Sequence, residues 1–305
     1  MMYKIRKSIT NSSISAILLF LCLLCIPSLT GCSSNSTNTP RNEYTLSKSV
    51  EVAGRQGIAV DDDYYYVSGS TTLTKYDKDW NVVAENKKPF SKGYTDEVNH
   101  IGDIDVYNGE LYCGVEKFLD GNASNIQIAV YDADTLKLKR TFNFEKDSGQ
   151  TECSGIAVNP DESTVWMCSW ADGESGRYLY KYNMNSGKYL GKIHMHAVPQ
   201  WIQGVAYYDG AYYVTADDGD ADDDEPDHIY RFDISDDSTE ATAVEELTLD
   251  DVTRQGEIEG LSFDGKNKKL FVLYNRGAKI IQGMPSGFYD GYTSEIHEVL
   301  IYNMK

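Results

Sequence analysis

The sequence predicts an all-β protein, a five-bladed β-propeller of four-stranded antiparallel blades closed by an N-terminal strand. Two alternating motifs carry this reading. The first is a small residue, an aliphatic residue, a second small residue and a strand former. It recurs as Gly57-Ile58-Ala59-Val60, Gly155-Ile156-Ala157-Val158, Gly204-Val205-Ala206-Tyr207 and Gly260-Leu261-Ser262-Phe263, with a degenerate copy at Asp103-Ile104-Asp105-Val106. The second is an apolar strand ending in an aromatic and then Asp or Asn: Tyr76-Asp77, Tyr131-Asp132, Tyr182-Asn183, Phe232-Asp233 and Tyr302-Asn303. A repeat of about fifty residues built of short strands and turns is the pattern of a propeller blade.

The first motif marks the innermost strand, where blades crowd around an axis and bulky side chains do not fit. The second strands follow as Tyr64–Val67, Leu111–Cys113, Val165–Cys168, Tyr212–Val214 and Leu270–Leu273. The second motif ends the third strands. Outer strands are expected at Trp80–Ala84, Leu136–Phe142 and Tyr189–Ile193. The fifth copy stops at Lys305 without an outer strand, while Glu43–Val52 is a strand without a blade. Pairing the two closes the ring and removes an open sheet edge.

Composition agrees. The 305 residues are 41% hydrophobic, enough for a sizeable core, and 23 are Tyr, a residue favoured in strands. The net charge of −19 argues against a nucleic-acid partner, whose phosphates it would repel. Of six cysteines, Cys113, Cys153 and Cys168 fall in the propeller, an odd number that allows at most one disulfide; Cys113 and Cys168 lie in apolar strand-like contexts and are expected to be buried free thiols.

The N-terminus reads as an export signal. Lys4, Arg6 and Lys7 precede an apolar run from Ala16 to Ile26, too short to span a bilayer but suited to a signal peptide. It ends in Leu29-Thr30-Gly31-Cys32, which resembles the lipobox of bacterial lipoproteins. That resemblance implies removal of residues 1–31, lipidation of Cys32 and a lipid anchor on the outer side of a bacterial cell membrane. Residues 32–43 then read as the lipidated Cys and a flexible polar tether, and 44–305 as the propeller. The mature chain keeps 25 basic against 47 acidic residues, a net charge of −22.

In a propeller, the loops entering the inner strands and those joining second to third strands share one face. Polar residues precede the inner strands at Arg55, Gln56, His100, Asp103, Glu152, Trp201, Gln203, Glu257 and Glu259, so these are expected to ring one channel mouth as a ligand site. Glu152, Glu257, Glu259 and Asp103 form an oxygen-rich set suited to Ca²⁺. The second-to-third loops 116–125, 169–177, 216–228 and 275–295 add to this face. The acidic run Asp217–Glu225 reads as a solvated loop.

The first blade resembles the opening pattern of glutamine cyclotransferase propellers through Gln56-Gly57-Ile58, Val67-Ser68-Gly69-Ser70 and Leu73-Thr74-Lys75-Tyr76-Asp77, over one blade of five. Calcium-dependent lactonase propellers of the senescence-marker type are a more distant likeness. These resemblances imply an enzyme, a glutaminyl cyclotransferase or a metal-dependent hydrolase. The residues themselves support first a binder of a small molecule, sugar, peptide or protein at the mouth. A structural subunit of an envelope complex is the third expectation.

Overall fold

A computed structural model describes residues 39–305 except 91–93, 95, 96, 144, 145, 236, 282 and 283. The expected signal segment and Cys32 lie outside the described residues. Five antiparallel sheets of small blades make a five-bladed propeller. Blade I is Gly57–Val60, Tyr65–Gly69, Thr72–Tyr76 and Val82–Asn86; blade II is His100–Tyr107, Glu110–Leu119, Asn122–Asp132 and Leu138–Asn143. Blade III is Gly155–Asn159, Thr164–Cys168, Tyr178–Asn183 and Tyr189–His196; blade IV is Ile202–Tyr208, Ala211–Ala216, His228–Phe232 and Val244–Thr248. Blade V combines Gly256–Asp264, Lys269–Arg276 and Ile296–Met304 with the N-terminal strand Tyr44–Glu51. Among the described residues no helix is long and apolar enough to cross a membrane.

The inner strands lie side by side and the fifth returns to the first. The crowding expected there is severe. A Cβ on Gly57 would come within 2.5 Å of Asp103 Oδ1, and one on Gly204 within 2.9 Å of Asp103 Oδ2. One on Gly260 would run into the same carboxyl group. Asp103, in the degenerate copy, is fully buried and fills the space that the glycines leave. Hydroxyls tie three of the five blade junctions: Ser68 Oγ donates to Gly102 O at 2.9 Å, Ser154 Oγ to Ile202 O at 2.7 Å, and Thr215 Oγ1 to Glu259 O at 2.6 Å.

Five apolar clusters fill the five gaps between neighbouring blades. Tyrosine recurs in them: Tyr66 and Tyr131 between I and II, Tyr180 and Tyr182 between II and III, Tyr212 between III and IV, Tyr274 and Tyr302 between IV and V, Tyr65 and Tyr76 between V and I. The second motif also has a physical reason. Its Asp or Asn caps the turn after the third strand, with Asp77 Oδ1 accepting from Asp79 N and Asn81 N at 2.9 Å each. Asp132 Oδ1 accepts from Thr135 N at 2.8 Å, and Asn183 Oδ1 from Ser186 N at 3.0 Å.

Three details depart from expectation. Trp80 and Leu136 do not open outer strands; both sit in the preceding turn at positive φ, 66° and 54°. Trp80 gains a stack on Tyr65, with ring centroids 4.2 Å apart, which fits a bulky residue at a backbone angle that sterics disfavour. Blade III carries a fifth strand, Glu240–Thr242, parallel to Tyr189–His196. Residues 39–43, read from the sequence as tether, lie against blade IV instead. Arg41 N donates to Glu246 Oε1 at 3.0 Å, its guanidinium pairs with Asp233 at 2.6 Å, and Arg231 NH1 donates to Thr39 O at 3.2 Å.

The closing strand is in register with Ile296–Met304, from Tyr44 opposite Met304 to Glu51 opposite Glu298. A chain beginning at residue 54 would leave that strand's edge bare and the interblade packing of Val50 and Val52 missing. Its thermal transition, followed by circular dichroism, is expected to broaden and fall by many degrees; an unchanged midpoint would mean that the ring does not need this strand.

Candidate functional site

The mouth is built where inner strands are irregular. β-Bulges fall between Ile101 and Ile104, between Ile202 and Gly204, and between Ile258 and Leu261. A bulge breaks the strict alternation of a strand and re-aims side chains. The residues at these bulges include Asp103, Gln203 and Glu259, three of the expected site residues.

The expected residues divide into two groups. In the first, Arg55 gathers carboxylates across blades I and V. Its NH2 lies 3.1 Å from Glu257 Oε2, 3.7 Å from Glu259 Oε1 and 3.1 Å from Glu295 Oε1. Gln203 Nε2 donates to Glu257 Oε1 at 2.9 Å, and Asn275 Nδ2 to Glu259 Oε1 at 2.7 Å. His297 Nδ1 meets Asn275 Oδ1 at 2.9 Å. Burial works against the Arg55 charge, but Glu259, Glu257 and Glu295 outweigh it and hold the guanidinium protonated. Burial pushes Glu259 well above the ordinary carboxylate range, with Glu257 adding to the shift; Glu257 is raised too, with Arg55 opposing. Gln56 is buried, and its carbonyl accepts from Gly260 N at 3.1 Å, a contact between blades.

The second group lies on blades II and III. Glu152 Oε2 accepts a short hydrogen bond from Trp170 N, and Cys153 N donates to Glu116 Oε2 at 2.9 Å. Burial, then the neighbouring Glu116, raises Glu152 well above the ordinary range. His100 Nδ1 stands 3.4 Å from Glu116 Oε1 without hydrogen-bond alignment, and its ring lies 5.6 Å from that of Phe118. Trp170 and Trp201 pack at 4.6 Å between centroids. Trp201 holds a φ of 52°, a strained value for a bulky residue of the sort that clusters at functional sites.

Two clefts open beside this tryptophan pair. One, of about 460 Å³, is lined by Phe118, Asp120, Glu152, Trp170, Asp172 and Trp201 among others. The other, of about 340 Å³, has Trp201 and Asp172 in its wall together with Arg177 and Gln200. Asp103 closes the channel beneath. Its Oδ1 accepts from Ile104 N at 2.8 Å and Ile58 N at 3.3 Å, while Oδ2 has no hydrogen-bond partner among the described residues. Burial drives its carboxyl far above the ordinary range.

Glu152, Glu257, Glu259 and Asp103 are thus not gathered into one ligand set. Arg55 supplies the positive charge between Glu257 and Glu259, Glu152 belongs to the other group, and Asp103 lies deeper. Among the described residues no group of three or more His, Cys, Asp or Glu side chains is placed to hold a metal ion. The acidic run is also only partly solvated. Asp218 bonds His228 Nδ1 at 2.9 Å and Tyr230 OH at 2.8 Å, and burial raises Asp217 well above its ordinary range beside Glu257 and Asp227. Cys113, Cys153 and Cys168 are free and buried, as expected for Cys113 and Cys168.

No protein-family model and no curated protein matches the chain. Among solved structures, the gluconolactonase XC5397 from Xanthomonas campestris is 14% identical over 81% of this chain and 72% of its own, with a TM-score of 0.47. Hydrazine synthase from Kuenenia stuttgartiensis is 13% identical, over 83% of this chain and 64% of its own, at 0.44. A Bacteroides caccae protein of unknown function is 13% identical, over 72% and 69%, at 0.45. Likeness of this degree assigns no activity.

The Arg55 cluster makes a pH-dependent forecast. Glu257 and Glu259 are held above their unfolded value of 4.5, so their neutral forms favour the fold below that value, and stability is lost as pH rises and they ionise. Arg55 limits the loss by pairing with the ionised forms. Arg55→Gln is therefore expected to lower stability by about 3 kcal/mol at pH 8 and by much less at pH 4.5. Urea unfolding at both pH values checks this; an equal deficit at both would refute the electrostatic role.

Proposed function

We propose that this chain is a lipid-anchored, extracytoplasmic β-propeller that binds a ligand at its channel mouth. The observation that carries the reading is the pair of clefts sharing Trp201, with Trp170 packed against it and Glu152 held in the wall by the Trp170 backbone. Aromatic surface with a few placed polar groups is the make-up of a ligand site. Asp103 blocks the axis below, so a ligand enters and leaves by the same opening.

The place where the described chain enters the domain supports the same reading. Strands alternate in direction, so Tyr44, paired with Met304, starts at the end of the propeller opposite the mouth. Arg41 is pinned there, its NH1 2.8 Å from Asp209 O in the turn after the inner strand of blade IV. Residues 39–41 thus enter the domain on the face opposite the mouth, as suits a domain that is anchored through its N-terminus and keeps its mouth free. The charge of the domain adds no attraction to an anionic surface, so the lipid does the holding.

A hydrolase is the second reading. It is favoured by Glu152, a carboxyl on the cleft wall that burial, and then Glu116, shifts upward, the direction in which a general acid is tuned.

Two measurements check the proposal. Cys32→Ala is expected to abolish fatty-acid labelling and leave the protein outside the membrane fraction or unprocessed; label that persists would contradict the anchor. In a thermal-shift screen of the mature chain, compounds that stabilise the wild type are expected to lose their effect in Trp201→Ala and to keep it in Tyr208→Ala on the opposite face. Compounds that stabilise all three proteins equally would contradict binding at the mouth.

A further inference from the structure

We propose that the cleft between Phe118 and the Trp170–Trp201 pair takes an organic cation, an ammonium or trimethylammonium group on a short stem. This names the ligand class for the site read above as a ligand mouth, and rests on that reading.

The cleft wall has two chemical components. Phe118, Trp170 and Trp201 supply aromatic rings, whose electron-rich faces attract cations, tryptophan most strongly. Asp120, Glu152 and Asp172 supply three acidic groups. Among the described residues lining this cleft there is no Lys or Arg. Beneath the rim, Glu116 is fully buried next to Glu152 and adds a fourth acidic group. Arg55, the strong cation of the mouth, is already engaged by Glu257, Glu259 and Glu295. A phosphate or carboxylate ligand would meet the exposed carboxylates of Asp120 and Asp172 and find no basic side chain in this lining. A neutral sugar would stack on the rings but leave the acidic wall unanswered. A cation satisfies both components at once.

The surroundings favour the same class. The mature chain carries a net charge of −22, so its field draws cations toward the surface and concentrates them in an acidic cleft. The cleft volume of about 460 Å³ is in the range that suits a small molecule. Asp120 and Asp172 are exposed, so their charges are accessible to an entering ligand and their removal does not disturb the core.

The test uses choline and its uncharged isostere 3,3-dimethylbutan-1-ol, titrated into the mature chain and followed by tryptophan emission and calorimetry. Choline is expected to bind at least about ten-fold more tightly than the isostere, a difference set by the charge on the ring faces and the acidic wall. Trp201→Ala is expected to weaken choline about ten-fold or more. The double change Asp120→Asn with Asp172→Asn, on exposed positions that leave folding intact, is expected to weaken choline and not the isostere. Equal, Trp201-dependent binding of both probes would overturn the cationic class and keep the mouth as a ligand site. Choline binding untouched by every substitution, or no binding of choline, would overturn the proposal, while the thermal-shift comparison separately decides the mouth reading.

Discussion

Everything in this propeller follows from how little room five inner strands leave at their common axis. Four of them meet it with glycine, because a Cβ at Gly57, Gly204 or Gly260 would collide with Asp103 or a facing backbone, and one at Gly155 would lie 2.8 Å from Val205 N. The second strand of the ring departs from the pattern and contributes Asp103, whose side chain takes the space the glycines vacate. Close approach lets hydroxyls of one blade reach carbonyls of the next, and it leaves the gaps farther out for tyrosines. The axis is thereby filled, and what would be a channel becomes a blind mouth.

That constraint also explains what the sequence made legible. Small residues at the axis and Asx caps at the turns are demanded by geometry in each blade, so they recur at fixed order and the five repeats can be read directly. The closing strand was legible because the last repeat lacks an outer strand and the first has one to spare. Other features have no local signal. Glu240–Thr242 is three residues long and pairs in parallel, too short to show alternation. Trp80 and Leu136 look like strand formers, but tertiary stacking and turn geometry place them at positive φ.

The site was half legible for a related reason. Position before an inner strand is enough to put Arg55, His100, Glu152, Trp201, Gln203, Glu257 and Glu259 near one mouth. It does not say which of them pair. Arg55 meets Glu257 and Glu295 across 202 and 240 residues of chain, and no spacing rule anticipates that. Of the four carboxylates read as an oxygen-rich set, Glu257 and Glu259 meet Arg55. Glu116, Phe118 and Trp170 lie within the segments 116–125 and 169–177 that the sequence placed on this face, but Glu116 and Phe118 belong to the second strand itself, and no spacing showed that all three would gather beside Glu152. In the degenerate repeat two Asp replace small residues, and the space that Asp103 fills at the axis explains the departure.

The far end of the molecule completes the picture. Its turns are capped by Asp and Asn side chains, so much of the acidity there is structural. The same end receives the N-terminal segment through Arg41. The aromatic, acidic mouth lies at the other end, with Asp103 as its floor. The direct test is the titration of the Asp103 carboxyl, followed by carbon NMR of a sample labelled at Asp and assigned with Asp103→Asn. A carboxyl that stays neutral far above the ordinary Asp range would show that it is sealed in the axis; one that titrates near 4 would mean that water reaches it and that the channel is open.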